Sequence, residues 1–388
     1  EATVNGRPAS DELFTPGWTS YSYRLRYVSH EVSHLVTQRT VIGLSLGNGW
    51  WRGRLGWSGD RAVYGDRLAA LAHLEIRFAD GHVQALGTDE SWLSAGSEVV
   101  ADDLYDGQTV DFRRRDDSWQ RTGADLSSWS PVEVVEADLS TLVPCSAPPV
   151  RRQETLRPQR IWHAPSGAIL LDFGQNLVGF LRFRVTGERG SEVLLRHAEV
   201  LEDGEIGVRP LRTALATDRL VLSGDEDHFE PTKTFHGFRY AEVTGWPGEL
   251  VTDDVEAVVV HTDMQRTGWF ACSDPALDQL HSNVVWGWKG NAVDVPTDCP
   301  QRDERLGWTG DLAVFAPTAA FLYDSKAFLQ DWLRDLAAEQ AAHGVVPFVV
   351  PDVLGDLARA AAPELLDGKG GFVNAPTAIW GDAAVWVP

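Results

Sequence analysis

The sequence predicts a multidomain β + α chain: two antiparallel β-sandwich domains followed by the beginning of an all-α domain. Three observations carry this. Hydrophobicity alternates with a period of two up to Thr267. After Thr267 the period changes to 3.6. A Pro-rich break, Pro144–Pro149 (PCSAPP), divides the β-rich part in two. With 388 residues, 43% of them hydrophobic, two or three cores can be filled, because domains cluster near about 100–150 residues.

In chain order, Glu1–Pro8 (EATVNGRP) opens with a short strand and a hairpin turn at Asn5-Gly6, since a type I′ turn needs positive φ at both central positions. That strand is short enough to expect sequence upstream of it. Alternation recurs at Ser20–Val28, Val41–Leu46, Leu71–Phe78 and Val83–Leu86, the last two joined through a second hairpin signal at Asp80-Gly81. Short strands at this spacing predict a sandwich or jelly roll over residues 1–145. Beyond the linker, Ile169–Phe173, Gly179–Val185, Glu192–Glu199, Arg219–Leu222 and Phe238–Thr244 predict a second sandwich within 150–262, its strands closing near Gly248.

From residue 266 onward the pattern is helical. Ser273 is placed to cap a helix with apolar positions Leu277, Leu280, Val284, Val285 and Trp288. Asp311–Tyr323 reads as a buried helix. Lys326–His343 reads as a third, with Phe328, Trp332, Leu333 and Leu336 on one face and Gly344 past its end. Weaker helical segments continue to Pro388. Two apolar-faced helices and a fragment cannot close a domain, so the all-α domain over 266–388 is expected to be incomplete.

The formal charge of −22 argues against a nucleic-acid partner and against docking on anionic membranes. No apolar run reaches the ~18 residues of a membrane span. Cys145, Cys272 and Cys299 are odd in number and widely spaced, which fits neither a zinc site nor a disulfide framework. Buried free thiols are expected. No signal peptide is visible, and the chain starts at Glu1 rather than Met, so the compartment stays open with only a cytoplasmic lean.

The chemistry concentrates in Asp298–Asp311 (DCPQRDERLGWTGD). This loop between helices packs four carboxylates (Asp298, Asp303, Glu304, Asp311), two arginines and Trp308. Clustered like charges raise the pKa of at least one carboxyl, and an apolar neighbour does the same by desolvation. A carboxylic acid held protonated near neutral pH can protonate a departing glycosidic oxygen. Carboxylates and guanidiniums hold sugar hydroxyls by charge-assisted bonds. Trp308 offers a flat face to a sugar ring. The competing reading is a solvated turn laced with ion pairs. Such a turn would not need Cys299, Pro300, Leu306, Gly307 and Trp308, and on residues alone the two readings stand level.

DCPQRDERLGWTGD closely resembles the signature of glycoside hydrolase family 78, the α-L-rhamnosidases, at the start of their (α/α)6 barrel. Pro16–Tyr21 (PGWTSY), Leu46–Trp57 (LGNGWWRGRLGW), Leu171–Val178 (LDFGQNLV), Leu195–Glu199 (LRHAE), Phe235–Tyr240 (FHGFRY) and Trp380–Ala383 (WGDA) resemble further family blocks, in family order. The resemblance implies an inverting exo-α-L-rhamnosidase acting on terminal α-L-rhamnose of glycosides or oligosaccharides. One carboxylic acid protonates the leaving oxygen while a second carboxylate, about 6.5–9.5 Å away, activates water. It implies Glu304 as general acid and Asp298, Arg302, Trp308 and Asp311 as rhamnose-binding residues. Asp303 and Arg305 are expected to support the loop. The family's general base is a later glutamate with no counterpart in this chain, which holds only about the first third of a twelve-helix barrel. No metal or organic cofactor is implied. A rhamnose-containing glycoside is the implied partner, and a homodimer fits a protein of this size.

Other candidates carry two readings each. Trp380 and Asp382 resemble a wall of the family's sugar pocket, or are ordinary helix-start residues with Asp382 as a cap. His236 is expected in the core of the second sandwich or at an interdomain contact. Trp50, Trp51 and Trp57 resemble a lectin-like patch but are expected as core and interdomain packing. Gly43–Gly49 lacks the helix and lysine of a phosphate loop. Two alternatives remain beside the rhamnosidase reading: an (α/α)6 hydrolase of another glycoside, and a non-catalytic carbohydrate-binding protein or inactive fragment.

Overall fold

The computed structural model describes residues 1–361 and 378–388. Among them, the β-rich part is built on one ten-stranded sheet with Ile169–Thr186 at its centre. This strand pairs antiparallel with Val255–Thr262 on one side and His236–Thr244 on the other. Glu192–Ala198 and Thr217–Val221 continue the sheet beyond His236–Thr244. The sheet then takes in Gly107–Asp111 and Val99–Asp103, which lie before the Pro-rich linker. Hydrogen-bonded sheet therefore runs across the expected 145/150 division. At its far edge Val150–Leu156 pairs with Val255–Thr262.

Several local expectations change. Ile169–Phe173 and Gly179–Val185 are one strand, with a register shift between Asp172 and Leu177 that absorbs Gly174, at φ 72°. The sheet does not close near Gly248, because Val255–Thr262 inserts beside the central strand and is almost wholly buried. A strand covered on both faces reads as a continuous apolar run and gives no alternation. Gly179 makes this pairing possible: a Cβ there would lie 1.8 Å from the Val258 carbonyl oxygen.

In the first region, Asn5 and Gly6 both have positive φ and close a two-residue turn between Val4 and Arg7. Asp80-Gly81 sits instead in a longer connection, with Arg77 paired to Val83. Only Leu25–Tyr27 of Ser20–Val28 is strand. Its polar face is the buried one: Arg24 and Arg26 turn inward and meet Asp294, Asp331 and Asp335. Alternation located the strand end, and ion pairing reversed which face is covered.

The described helices are α1 (Gly49–Arg52), α2 (Pro275–Asn291), α3 (Thr309–Leu322), α4 (Lys326–His343), α5 (Val353–Ala361), α6 (Ala378–Gly381) and α7 (Ala383–Trp386). The α2 cap is Asp274, whose carboxylate accepts from the Ala276 amide at 2.9 Å, and not Ser273. Leu277 and Leu280 are exposed, at 47% and 56%, so the buried stripe of α2 is confined to its second half, at Val285 and Trp288. For α4 the sequence periodicity and the structure coincide, and Gly344 ends the helix in the left-handed region at φ 75°. Trp288, Phe328, Trp332 and Leu336 share a helical core with Leu312 and Leu322 of α3. No described helix is long and apolar enough to cross a membrane. Of the thiols, Cys299 is buried, Cys145 half-buried and Cys272 exposed, so burial does not hold for all three.

A separate core cluster joins the regions. Trp18, Trp50, Leu55 and Tyr105 from the first region meet Phe180 and Val258 of the sheet and Leu306 of the motif loop. The loop is thus seated where three parts of the chain converge.

Candidate active site

The loop is pinned locally before it meets anything else. The Asp298 amide donates to the Leu306 carbonyl at 3.1 Å, and the Leu306 amide returns a bond to Asp298 Oδ1 at 3.0 Å. Gly307 lets the loop lie against the segment before α5: a Cβ would stand 2.2 Å from the Val350 carbonyl oxygen. The Val350 amide donates to the Gly307 carbonyl at 2.9 Å. Trp308 then caps α3 in extended conformation, which aims its indole back over the loop.

Glu304 is the focus. Its side chain is 9% exposed, and its Oε2 meets Arg302 at 2.9 Å and Arg212 at 3.0 Å. Its Oε1 accepts from the Trp308 indole N–H at 3.1 Å. Both oxygens are thereby held and the carboxyl plane is set. Arg302 also donates to Asp298 Oδ2 at 3.0 Å, which makes one guanidinium a bridge between the two carboxylates. Burial is the main influence on Asp298 and pushes its carboxyl up from the ordinary aspartate value.

Residues of both β-rich parts anchor this loop. The Tyr105 hydroxyl donates to the Glu304 carbonyl at 2.5 Å. Asp303 is buried and accepts from the Thr213 amide at 3.2 Å and from its hydroxyl. Arg305, also buried, donates to the carbonyls of Leu104 and Phe235 at 2.8 and 2.9 Å, with its guanidinium over the Tyr105 and Phe235 rings. Asp303 and Arg305 thus tie the loop to backbone and side chains outside it. Asp298, Cys299 and Glu304 each place one donor atom within 4.8 Å of the others. The guanidiniums of Arg302 and Arg212 already supply the positive charge that a cation would bring there.

Three family descriptions match the chain in succession: an α-L-rhamnosidase N-terminal domain over residues 1–154, a bacterial α-L-rhamnosidase concanavalin-like domain over 162–261, and a bacterial α-L-rhamnosidase six-hairpin glycosidase domain over 265–388. The chain is 40% identical over 392 residues to an α-L-rhamnosidase of Streptomyces avermitilis, a match covering 100% of this chain and 36% of that protein. The crystal structure of the native α-L-rhamnosidase from Aspergillus terreus superposes with a TM-score of 0.93 at 41% identity, covering 100% of this chain and 44% of that one. The Streptomyces avermitilis enzyme complexed with L-rhamnose superposes with a TM-score of 0.91 at 40% identity, covering 100% and 36%.

The chain belongs to the bacterial α-L-rhamnosidase family. It spans about two fifths of the length of the relatives it matches.

Of the residues that the family signature singles out, Asp298, Arg302, Glu304 and Trp308 form one bonded group. Asp311 lies exposed in the first turn of α3, where the helix N-terminus favours negative charge. Trp380 is half-buried and packs on the backbone of Gly310, with Phe348 edge-on at 5.7 Å. Asp382 is exposed at the start of α7, makes no side-chain cap, and no described bond joins it to the loop. His236 is fully buried beside Asp218 and stacked on His197, inside the β core.

Sequence reasoning missed several contributors. Arg212, on a left-handed residue at φ 58°, reaches Glu304 from a connection with no periodic signal. Glu199, whose carboxyl burial pushes up, brings negative charge toward Arg302. The sequence names Trp57, as a lectin-like patch or as core and interdomain packing, but not its place: it is 40% exposed and stacks across regions parallel to Trp308, with centroids 6.2 Å apart. The glycine-tryptophan block that contains Trp57 does show in the sequence, but nothing in it tells which of its three tryptophans faces out.

Proposed function

We propose that the whole protein hydrolyses terminal α-L-rhamnosides by inversion, with Glu304 as the general acid. One observation carries the reading: a nearly buried carboxyl with both oxygens held by Arg302, Arg212 and Trp308, in a loop that carries the family signature. A general acid must meet the leaving oxygen in a set orientation, and this grip sets it. Asp298, Arg302, Trp308 and Asp311 bind the terminal rhamnose, and Trp380 stands behind Gly310 as part of the pocket wall, with Asp382 nearby in sequence. The existence of a relative's complex with L-rhamnose supports this choice of sugar. In fold terms, we assign residues 1–145 and 150–262 to two β-sandwich regions that share one sheet through Val99–Asp103 and Gly107–Asp111, and 266–388 to the opening of an (α/α)6 barrel. The general base is assigned to none of the residues described here.

The test is hydrolysis of a natural rhamnosyl disaccharide by the whole protein, followed by NMR, with wild type beside Glu304→Gln. First release of β-L-rhamnose, and a drop of roughly 10²–10⁴-fold in the variant, is the expected result. First release of the α anomer would overturn inversion. No release by the folded wild type would overturn the rhamnosidase reading.

A further inference from the structure

Trp57 is 40% exposed, and its one ring stack among the described residues is with Trp308. It lies in the connection after α1, in the first β-rich region, far in sequence from the motif loop. Its ring is parallel to Trp308 within 5°, with centroids 6.2 Å apart. Trp308 is half-buried and bonded to Glu304, whereas Trp57 is 40% exposed. The pair therefore runs outward from the carboxyl toward solvent. Arg212, the other exposed group at this carboxyl, comes from the second β-rich region and is 44% exposed at its side chain.

We propose that Trp57 is the platform for the leaving group, so that the N-terminal region builds the subsite that receives the part of the glycoside beyond the terminal sugar. This rests on the reading of Glu304 as general acid. An enzyme that removes terminal sugars holds that sugar innermost, and the rest of the glycoside trails toward solvent. The acid sits at the junction, because it must reach the bridging oxygen. What flanks the acid on its solvent side therefore meets the leaving group. An indole presents a large, rigid apolar face there, at little conformational cost. The matching ligand is a leaving group with a flat apolar face, either an aromatic aglycone or the C–H face of a second sugar. A small aliphatic leaving group would not reach the ring.

The experiment uses the whole protein and three glycosides with the same sugar: 4-methylumbelliferyl α-L-rhamnoside, a rhamnosyl-glucose disaccharide and methyl α-L-rhamnoside. Trp57→Ala should lower kcat/KM about 3- to 10-fold for a glycoside whose leaving group stacks, mainly through KM, and less than about twofold for the methyl glycoside. Trp57→Phe should restore most of the loss. Loss on the umbelliferyl substrate alone identifies an aromatic aglycone as the ligand, and loss on both large substrates identifies a general flat-face subsite. Equal loss on all three would overturn the proposal, leaving Trp57 as a support for Trp308. If wild type hydrolyses none of the three, the rhamnosidase reading itself falls and the subsite with it.

Discussion

Two buried networks of arginine and acid hold this chain together, and they differ in what reaches solvent. In the first, Arg24 and Arg26 meet Asp294, Asp331 and Asp335, and every one of these five side chains is 11% exposed or less. In the second, Arg302 and Arg212 meet Asp298 and Glu304, with the acids at 7% and 9% but the cations at 31% and 44%. Composition is nearly the same. The first network locks the N-terminal region against α4 and is closed around its short bonds; Arg334, 55% exposed, touches only its rim, 3.5 Å from Asp331. The second is open on its cationic side and has tryptophans beside it. Clustered charge alone therefore does not mark a site; an accessible edge next to an oriented carboxyl does.

Breaking the closed network should have the largest effect on stability. Arg24→Leu leaves Asp335 in the interior without its guanidinium, while Asp331 keeps Arg26, and removing one partner of a buried pair costs about 3–5 kcal/mol. Urea unfolding of the whole protein at pH 8 measures this, and a loss below about 1 kcal/mol would mean that the interface is held by packing instead. In the open network the corresponding change should affect rate and not stability. Trp308→Phe keeps a ring but removes the indole donor to Glu304, and leaving a buried acceptor without its partner costs about 1–3 kcal/mol. We expect kcat/KM to fall roughly 10- to 100-fold with little change in Tm. A large fall in Tm with unaltered kcat/KM would reverse the contrast.

A smaller effect sharpens the closed side. Burial outweighs Arg24 at Asp335 and pushes its carboxyl up to about 7. The folded state then keeps a proton that the unfolded chain releases near its ordinary value of about 3.9. An acid raised on folding lowers stability as pH climbs between those values, so this contribution is greatest at about pH 4 and gone above 7. Asp335→Asn cannot titrate. The wild type's Tm advantage over this variant should shrink by at least about 2 °C from pH 5 to pH 8; a growing advantage would show the carboxylate to be ionised throughout. The smallest effect concerns the thiols. With an alkylating reagent on the native protein, peptide mapping should find Cys272 labelled first, Cys145 later and Cys299 only on unfolding. Early labelling of Cys299 would mean that the motif loop opens.

Much of this chain was legible in sequence because the signals were local. The period change near Thr267, the α4 stripe ending at Gly344, the Asn5-Gly6 turn and the motif of Asp298–Asp311 each depend on residues close in the chain. Backbone conformational preference and side-chain period act over a few residues, so a single sequence carries them. The motif also placed Asp298, Arg302, Glu304 and Trp308 within one short loop, and their bonding to one another follows from that spacing.

Only the tertiary structure decided the rest. Whether Arg24 and Arg26 face water or the interior depends on aspartates about 300 residues away. Val255–Thr262 became an inner strand because it is paired along both edges and buried on both faces, Val258 and Val260 in one core and Val255, Ala257 and Val259 in another, which no alternation announces. Arg212 and Trp57 reach Glu304 and Trp308 from different β-rich regions because a shared core, from Trp18 to Leu306, presses those regions together. Sequence spacing sets what neighbours can do along the chain; burial and ion pairing between distant segments set which of those possibilities meet.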